Sequence, residues 1–148
     1  MTTKFIFGIR KFKIEDYDSL IRLWKSAGLP YKPNGRDSKE KIESELKKGA
    51  AIFLLAETDK EIIGSVFGTH DGRKGWINRV AVHPQYRKND VAKKLVSEVE
   101  KKLDELGIDI IACLIEDWNE RSMNVFEKLG YIKHNDVIYF SKRKNADT

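Results

Sequence analysis

Two apolar runs separated by one amphipathic helix constrain this chain more than any other feature. The run WINRVAV is followed by HPQYRKND, and then Val91, Leu95, Val99, Leu103 and Leu106 recur at helical spacing. Gly107 stops that helix, and IDIIACLI follows as a nearly continuous apolar run. A helix joining two strands makes a crossover, so WINRVAV and IDIIACLI are expected to lie side by side and parallel. The near-continuous apolarity predicts burial of IDIIACLI on both faces. A strand, a basic turn and a helix N-terminus also make an anion site, built from free backbone N–H groups and the helix dipole. Glycine usually lets the backbone approach the ligand in such a site. The stretch HPQYRKNDVAKKL holds none, and an acid, Asp90, stands near the helix start.

The rest of the pattern surrounds that unit. FIFGIRKF is a strand, and IEDYDSLIRLWKSAG is a helix with Leu20, Leu23 and Trp24 on one face and Gly28 as its stop. LPYKPNGRD is an irregular loop, after which Asp37 or Ser38 caps a second helix, SKEKIESELKKG, ending at Gly49. AIFLLAET and EIIGSVFGTHD are strands joined by a tight turn at Asp59 and Lys60, and GRKG leads into WINRVAV, so the three strands form an antiparallel meander. NERSMNVFEKLG is a short helix capped by Asn119 and ended by Gly130. YIKHNDVIYFSKR closes the chain as a hairpin turned at Asn135 and Asp136, with RKNADT as a frayed tail. The order β-α-α-β-β-β-α-β-α-β-β gives one mixed sheet with helices on both sides, an α/β (α+β) domain over residues 1–148.

Composition narrows the function classes. At 148 residues and 41% hydrophobic, the chain can bury a core without disulfides or metal. The single cysteine fits a reducing compartment, and a cytoplasmic location is expected. No apolar run approaches a membrane span, and MTTKFIFGIR is charged too soon for a signal peptide. The formal charge of +5, from 28 basic and 23 acidic residues, is a mild excess with well-mixed signs. It fits a solvated surface first and a small phosphate-bearing ligand second. No basic block interleaved with aromatics points to nucleic acid. His70, His83 and His134 lack metal-ligand spacing, so no metal is expected.

The segment VAVHPQYRKNDVAKKL resembles motif A of the GNAT superfamily, the acyl-CoA-dependent N-acyltransferases. GIRKFKIEDYDSLIRLW is similar to that family's opening strand and first helix, and NERSMNVFEKLGY to its late helix followed by an aromatic. The resemblance implies a fold with a central pair of parallel strands that splay apart, here WINRVAV and IDIIACLI. It implies acetyl-CoA as cosubstrate in the gap, its pantetheine pairing with Val80, Ala81 and Val82. The pyrophosphate would sit on the backbone N–H groups of Arg87, Lys88, Asn89, Asp90, Val91 and Ala92, and Asn119 would help hold the pantetheine. Tyr31 with its loop, the first helix and the closing hairpin would line the substrate side. A homodimer through the C-terminal strands is also implied.

Three features depart from the family pattern: the loop, a base position and an acid position. Asp90 stands where the loop Arg/Gln-x-x-Gly-x-Gly/Ala has its central glycine, and Lys88 stands where glycine is common. Two readings of Asp90 remain open: its carboxylate folds back onto the first helical N–H groups and excludes phosphate, or it points away. Asn78 takes the place of an acid that relatives use as base. Phe126 takes the place of a tyrosine near the leaving thiolate, and is better read as core, with Tyr131 and Tyr139 as unselected neighbours. Cys113 is read as a small buried hydrophobe. Glu116 and Asp117 end a strand beside the cleft, and Trp118 precedes Asn119 at its mouth. The leading function is N-acetyl transfer from acetyl-CoA to a primary amine: a small molecule, a peptide N-terminus or a lysine. The alternative is a non-catalytic module that keeps the fold and binds acyl-CoA or a partner.

Overall fold

Alternation along one central strand decides the layering. In a computed structural model, which describes residues 5–59 and 61–148, β1 (Gly8–Lys11) pairs antiparallel with β2 (Ile52–Glu57). Phe53 and Leu55 of β2 project to one side of the sheet, and Leu54 and Ala56 to the other. All four are buried, so both faces must be covered. β2 pairs with β3 (Ile62–His70), β3 pairs antiparallel with β4 (Lys74–Val82), and β5 (Ile110–Ala112) adds parallel to β4. Strand order therefore follows chain order.

On one face lie α1 (Tyr17–Ala27), entered through a 3-10 turn at Ile14–Asp16, and α2 (Lys39–Lys47). Leu20, Trp24 and Ile42 from these helices pack with Phe53, Leu55 and Phe67. Gly28, at φ 74, ends α1 as the sequence indicates. Ser38 caps α2, its side chain accepting the Lys41 N–H at 3.2 Å, so Asp37 is free for another role.

The other face holds α3 (Val91–Glu105), with Leu95, Val96, Val99 and Leu103 fully buried, and α4 (Glu120–Lys128), which contributes Phe126. Three glycines let α3 settle deep on the sheet. A Cβ at Gly64 would lie 2.9 Å from Val91 Cγ1, one at Gly68 2.6 Å from Val99 Cγ1, and one at Gly75 2.7 Å from Leu103 Cδ1. This depth fixes the height of the α3 N-terminus above β4.

Four expectations are corrected. β5 covers only Ile110–Ala112 of IDIIACLI, and it is buried on one face: Ile111, Cys113 and Ile115 pack inward while Ile110 and Leu114 are exposed. The cause is its position at the sheet edge, which leaves Ile110 and Leu114 outside both buried cores among the described residues. The closing hairpin has its turn at Asn135 and Asp136, yet no ladder forms from it among the described residues. Ile138 and Phe140 are 77% and 89% exposed, and Val137 and Tyr139 between them are exposed too, so no single face fixes a register. The tail is not frayed throughout: Lys32 Nζ donates to the Ala146 carbonyl at 3.1 Å, and the Asp147 carbonyl lies against Gly35. Tyr131 packs inward, as described below, rather than opening a strand. Of the turn at Asp59 and Lys60, Lys60 lies outside the described residues.

Candidate active site

A single extra residue in β4 opens the sheet. Ser65 pairs with Ala81 and Phe67 with Asn78, so Arg79 and Val80 together face Val66. The bulge is made at Arg79, whose φ of 55 places a non-glycine residue in left-handed backbone. Such backbone costs about 1–2 kcal/mol, so surrounding contacts must hold it. Ser65 Oγ donates to the Arg79 carbonyl at 2.8 Å, and Trp24 Nε1 donates to Ser65 Oγ at 3.0 Å. The parallel ladder joins Lys74–Trp76 to Ile110–Ala112 and goes no further, so the remaining ends of the two strands part.

The gap is a cleft of about 810 Å³. Val80, Ala81 and Val82 form one wall, α4 with Asn119 and Phe126 forms another, and Ala27, Gly28, Leu29 and Pro30 close a third side. Its charge is lopsided. Among the described residues, Arg87, Lys88, Lys93, Arg121 and Lys128 line it against one acid, Asp90. That balance suits a polyanion.

The turn before α3 has glycine-like backbone without glycine. Lys88 and Asp90 have φ of 73 and 60, at the two positions where the family pattern favours glycine. Asn89 staples the turn, its Nδ2 donating to the carbonyls of Tyr86 and Arg87 at 3.1 and 3.3 Å. His83 Nδ1 accepts the Gln85 N–H, a structural role. Lys94 N–H bonds the Asp90 carbonyl, while helical geometry leaves the N–H groups of Val91, Ala92 and Lys93 without a partner inside the helix. All three residues line the cleft.

Asp90 stands at the N-cap position, but its side chain accepts no hydrogen bond from the helix. The left-handed backbone turns the carboxylate off those N–H groups, so the fold-back reading of Asp90 does not hold. Arg87 spans the cleft: Nη2 donates to the Ala27 carbonyl at 3.1 Å, at the negative end of α1. Burial first, and then repulsion by Arg121, lower its pKa. An anion between the two guanidinium groups would relieve that repulsion.

The remaining candidates sort clearly. Asn119 caps α4, accepting the Ser122 N–H at 3.2 Å through Oδ1, and the residue also lines the cleft. Phe126 is 5% exposed and meets Tyr131 edge to face. Tyr131 donates to Glu100 Oε2 at 2.7 Å, and burial followed by that carboxylate pushes its phenol far above the usual range. It is therefore a poor proton donor. Tyr139 is exposed and lies outside the cleft lining, as do Asn78, Glu116 and Asp117. Trp118 is exposed at the cleft mouth. Burial pushes the Cys113 thiol up to about 11, which leaves it inert.

Three residues at or beside the cleft escaped the sequence reading. Arg121 and Lys128 belong to α4, and their spacing of seven sets both on the cleft side of that helix, a signal the sequence does contain. Arg79 carried none, because a bulge depends on the partner strand.

Residues 17–131 match the model of the acetyltransferase (GNAT) family, and the chain belongs to that family, whose members are acyl-CoA-dependent N-acyltransferases. Solved structures share the fold. The PaiA N-acetyltransferase from Thermoplasma acidophilum, in complex with coenzyme A, has a TM-score of 0.75 at 23% identity, over 84% of this chain and 89% of that one. AAC(6')-Iy in complex with a CoA bisubstrate analogue has a TM-score of 0.78 at 21% identity, over 93% of this chain and 99% of that one. Glucosamine-6-phosphate N-acetyltransferase from Arabidopsis thaliana has a TM-score of 0.71 at 20% identity, over 95% and 99%.

Proposed function

We propose that this protein transfers the acetyl group of acetyl-CoA to a primary amine. The observation that carries the reading is the basic cleft at the parted ends of β4 and β5, floored by free N–H groups at the start of α3. Five cationic side chains against one acid suit the phosphates of CoA. Val80, Ala81 and Val82 present an extended edge for the amides of the pantetheine arm, and Asn119 lines the same cleft. In the reaction the amine nitrogen attacks the thioester carbonyl, the C–N bond forms, the C–S bond breaks, and the amine proton passes through water to the departing thiolate. Holding the two reactants in line supplies much of the acceleration, so a dedicated base is not essential.

One observation favours the second reading, a non-catalytic acyl-CoA-binding module. Asn78 and Phe126 occupy the usual proton-transfer positions, and Tyr131 is committed to Glu100. Thiol release from acetyl-CoA, measured over a panel of primary amines, decides between them. Amine-dependent release supports transfer. Saturable acetyl-CoA binding without any amine-dependent release supports the module instead. The single cysteine favours a reducing compartment, and we place this activity in the cytoplasm.

A further inference from the structure

Arg79 does more than bend a strand. Its guanidinium lies over the Trp24 ring, 5.2 Å from the centroid, and ends on the loop that leaves α1. Nη1 donates to the Pro30 carbonyl at 2.6 Å, and Nη2 to Asp37 Oδ2 at 2.5 Å. Asp37 is 5% exposed, and the same Oδ2 accepts the Lys32 N–H at 2.7 Å. Tyr17 Oη donates to the Asp37 carbonyl at 2.7 Å. One side chain, rooted in the bulge, therefore holds both ends of the loop from Pro30 to Asp37. On backbone grounds glycine would serve better at φ 55, so the side chain has its own reason to be there.

The place of this clasp gives it meaning. With phosphates at the start of α3, an extended arm running back along Val82, Ala81 and Val80 brings its acyl end to the Arg79 bulge. Leu29 and Pro30 line the same cleft as Val80 and Ala81, and the Pro30 carbonyl is tied to Arg79 itself. Tyr31 follows them, packed on Trp24 at 6.1 Å between ring centroids. An amine that meets the acyl end from this side passes between the bulge and this loop.

We infer that Arg79 is a positioning residue, paired with Asp37, which holds the Pro30–Asp37 loop against the β4 bulge and so shapes the acceptor end of the cleft. This rests on the acetyl-transfer reading. The clasp neither touches the phosphate end nor supplies a proton. Its loss widens the acceptor end and leaves cosubstrate binding intact. Lysine does not replace it, because its compact ammonium lacks the planar fork that reaches the separated Pro30 and Asp37 acceptors at once.

The test compares the full chain with Arg79→Lys and Asp37→Asn, using acetyl-CoA and, as amines, glucosamine 6-phosphate, neamine, hexylamine and lysine methyl ester. For whichever amine turns over, its KM is expected to rise at least tenfold in each variant, with the Kd for acetyl-CoA within threefold of wild type. Unchanged KM, or Kd rising in step with KM, overturns the inference. If no amine is acetylated, the acetyl-transfer reading fails by itself, and amide exchange judges the clasp. Exchange of the Lys32 N–H at least tenfold faster in Arg79→Lys, with α3 amides unchanged, supports it. Equal exchange overturns it.

Discussion

At Lys88 and Asp90 the chain holds left-handed backbone with residues that resist it. Aspartate tolerates that region better than lysine, because its short side chain bonds locally. Lys88→Gly is therefore expected to raise stability by about 0.5–1 kcal/mol, the relieved strain exceeding glycine's added entropy cost. Thermal unfolding checks this, through a melting temperature a few degrees higher. Asp90→Gly removes the one acid of the cleft and should tighten acetyl-CoA about tenfold, or about 1.4 kcal/mol. An unchanged Kd would show that the carboxylate does not disturb the phosphates. At Cys113, a thiol raised to about 11 predicts slow alkylation by iodoacetamide at neutral pH, with labelling rising once the chain is unfolded. The sequence marked both loop positions as glycine sites and marked Cys113 as inert. It did not reveal Arg79 and Asp37, because their meeting spans 42 positions and depends on a bulge counted against β3.

Among the elements, α3 depends most on what lies beneath it. Gly68→Ala would push a methyl group into Val99, which the buried helix can avoid only by rising off the sheet. The expected loss is about 1–3 kcal/mol in denaturant unfolding, with weaker acetyl-CoA binding as the α3 N-terminus moves. A second element-scale contact joins β1, the 3-10 turn and β2: Arg10 donates to both oxygens of Asp16 and to Glu57. Arg10 holds the Asp16 carboxyl below the usual range, so its folded pKa lies under its unfolded value. That contribution is complete above pH of about 4 and is lost as pH falls through the folded pKa. Asp16→Asn should thus be less stable than wild type at pH 7, with the gap closing below pH of about 4 in parallel urea titrations. Helices were legible because their spacing, caps and stop glycines agree. The C-terminal strands were over-read: Val137, Ile138, Tyr139 and Phe140 are apolar in succession, which gives strand propensity without the parity that selects a face.

For the molecule as a whole, two cores on opposite faces hold a sheet whose parallel pair is joined at one end and parted at the other. The strand-helix-strand unit was enough to place the parallel pair and the basic turn, since both follow from chain order, whereas the parted end was implied only by the resemblance to the GNAT family. The chemistry of the acceptor end was not, because it is made from the loop at Pro30–Asp37, the bulge and α4 brought together by folding. Everything proposed for this cleft requires that it take acetyl-CoA despite the missing glycines. The direct measurement is calorimetric titration of the full chain with acetyl-CoA, with adenosine diphosphate as control. Saturable binding, tighter than the control, is the predicted result. No heat at millimolar acetyl-CoA would contradict the account, for then the cleft at the start of α3 is no cosubstrate site.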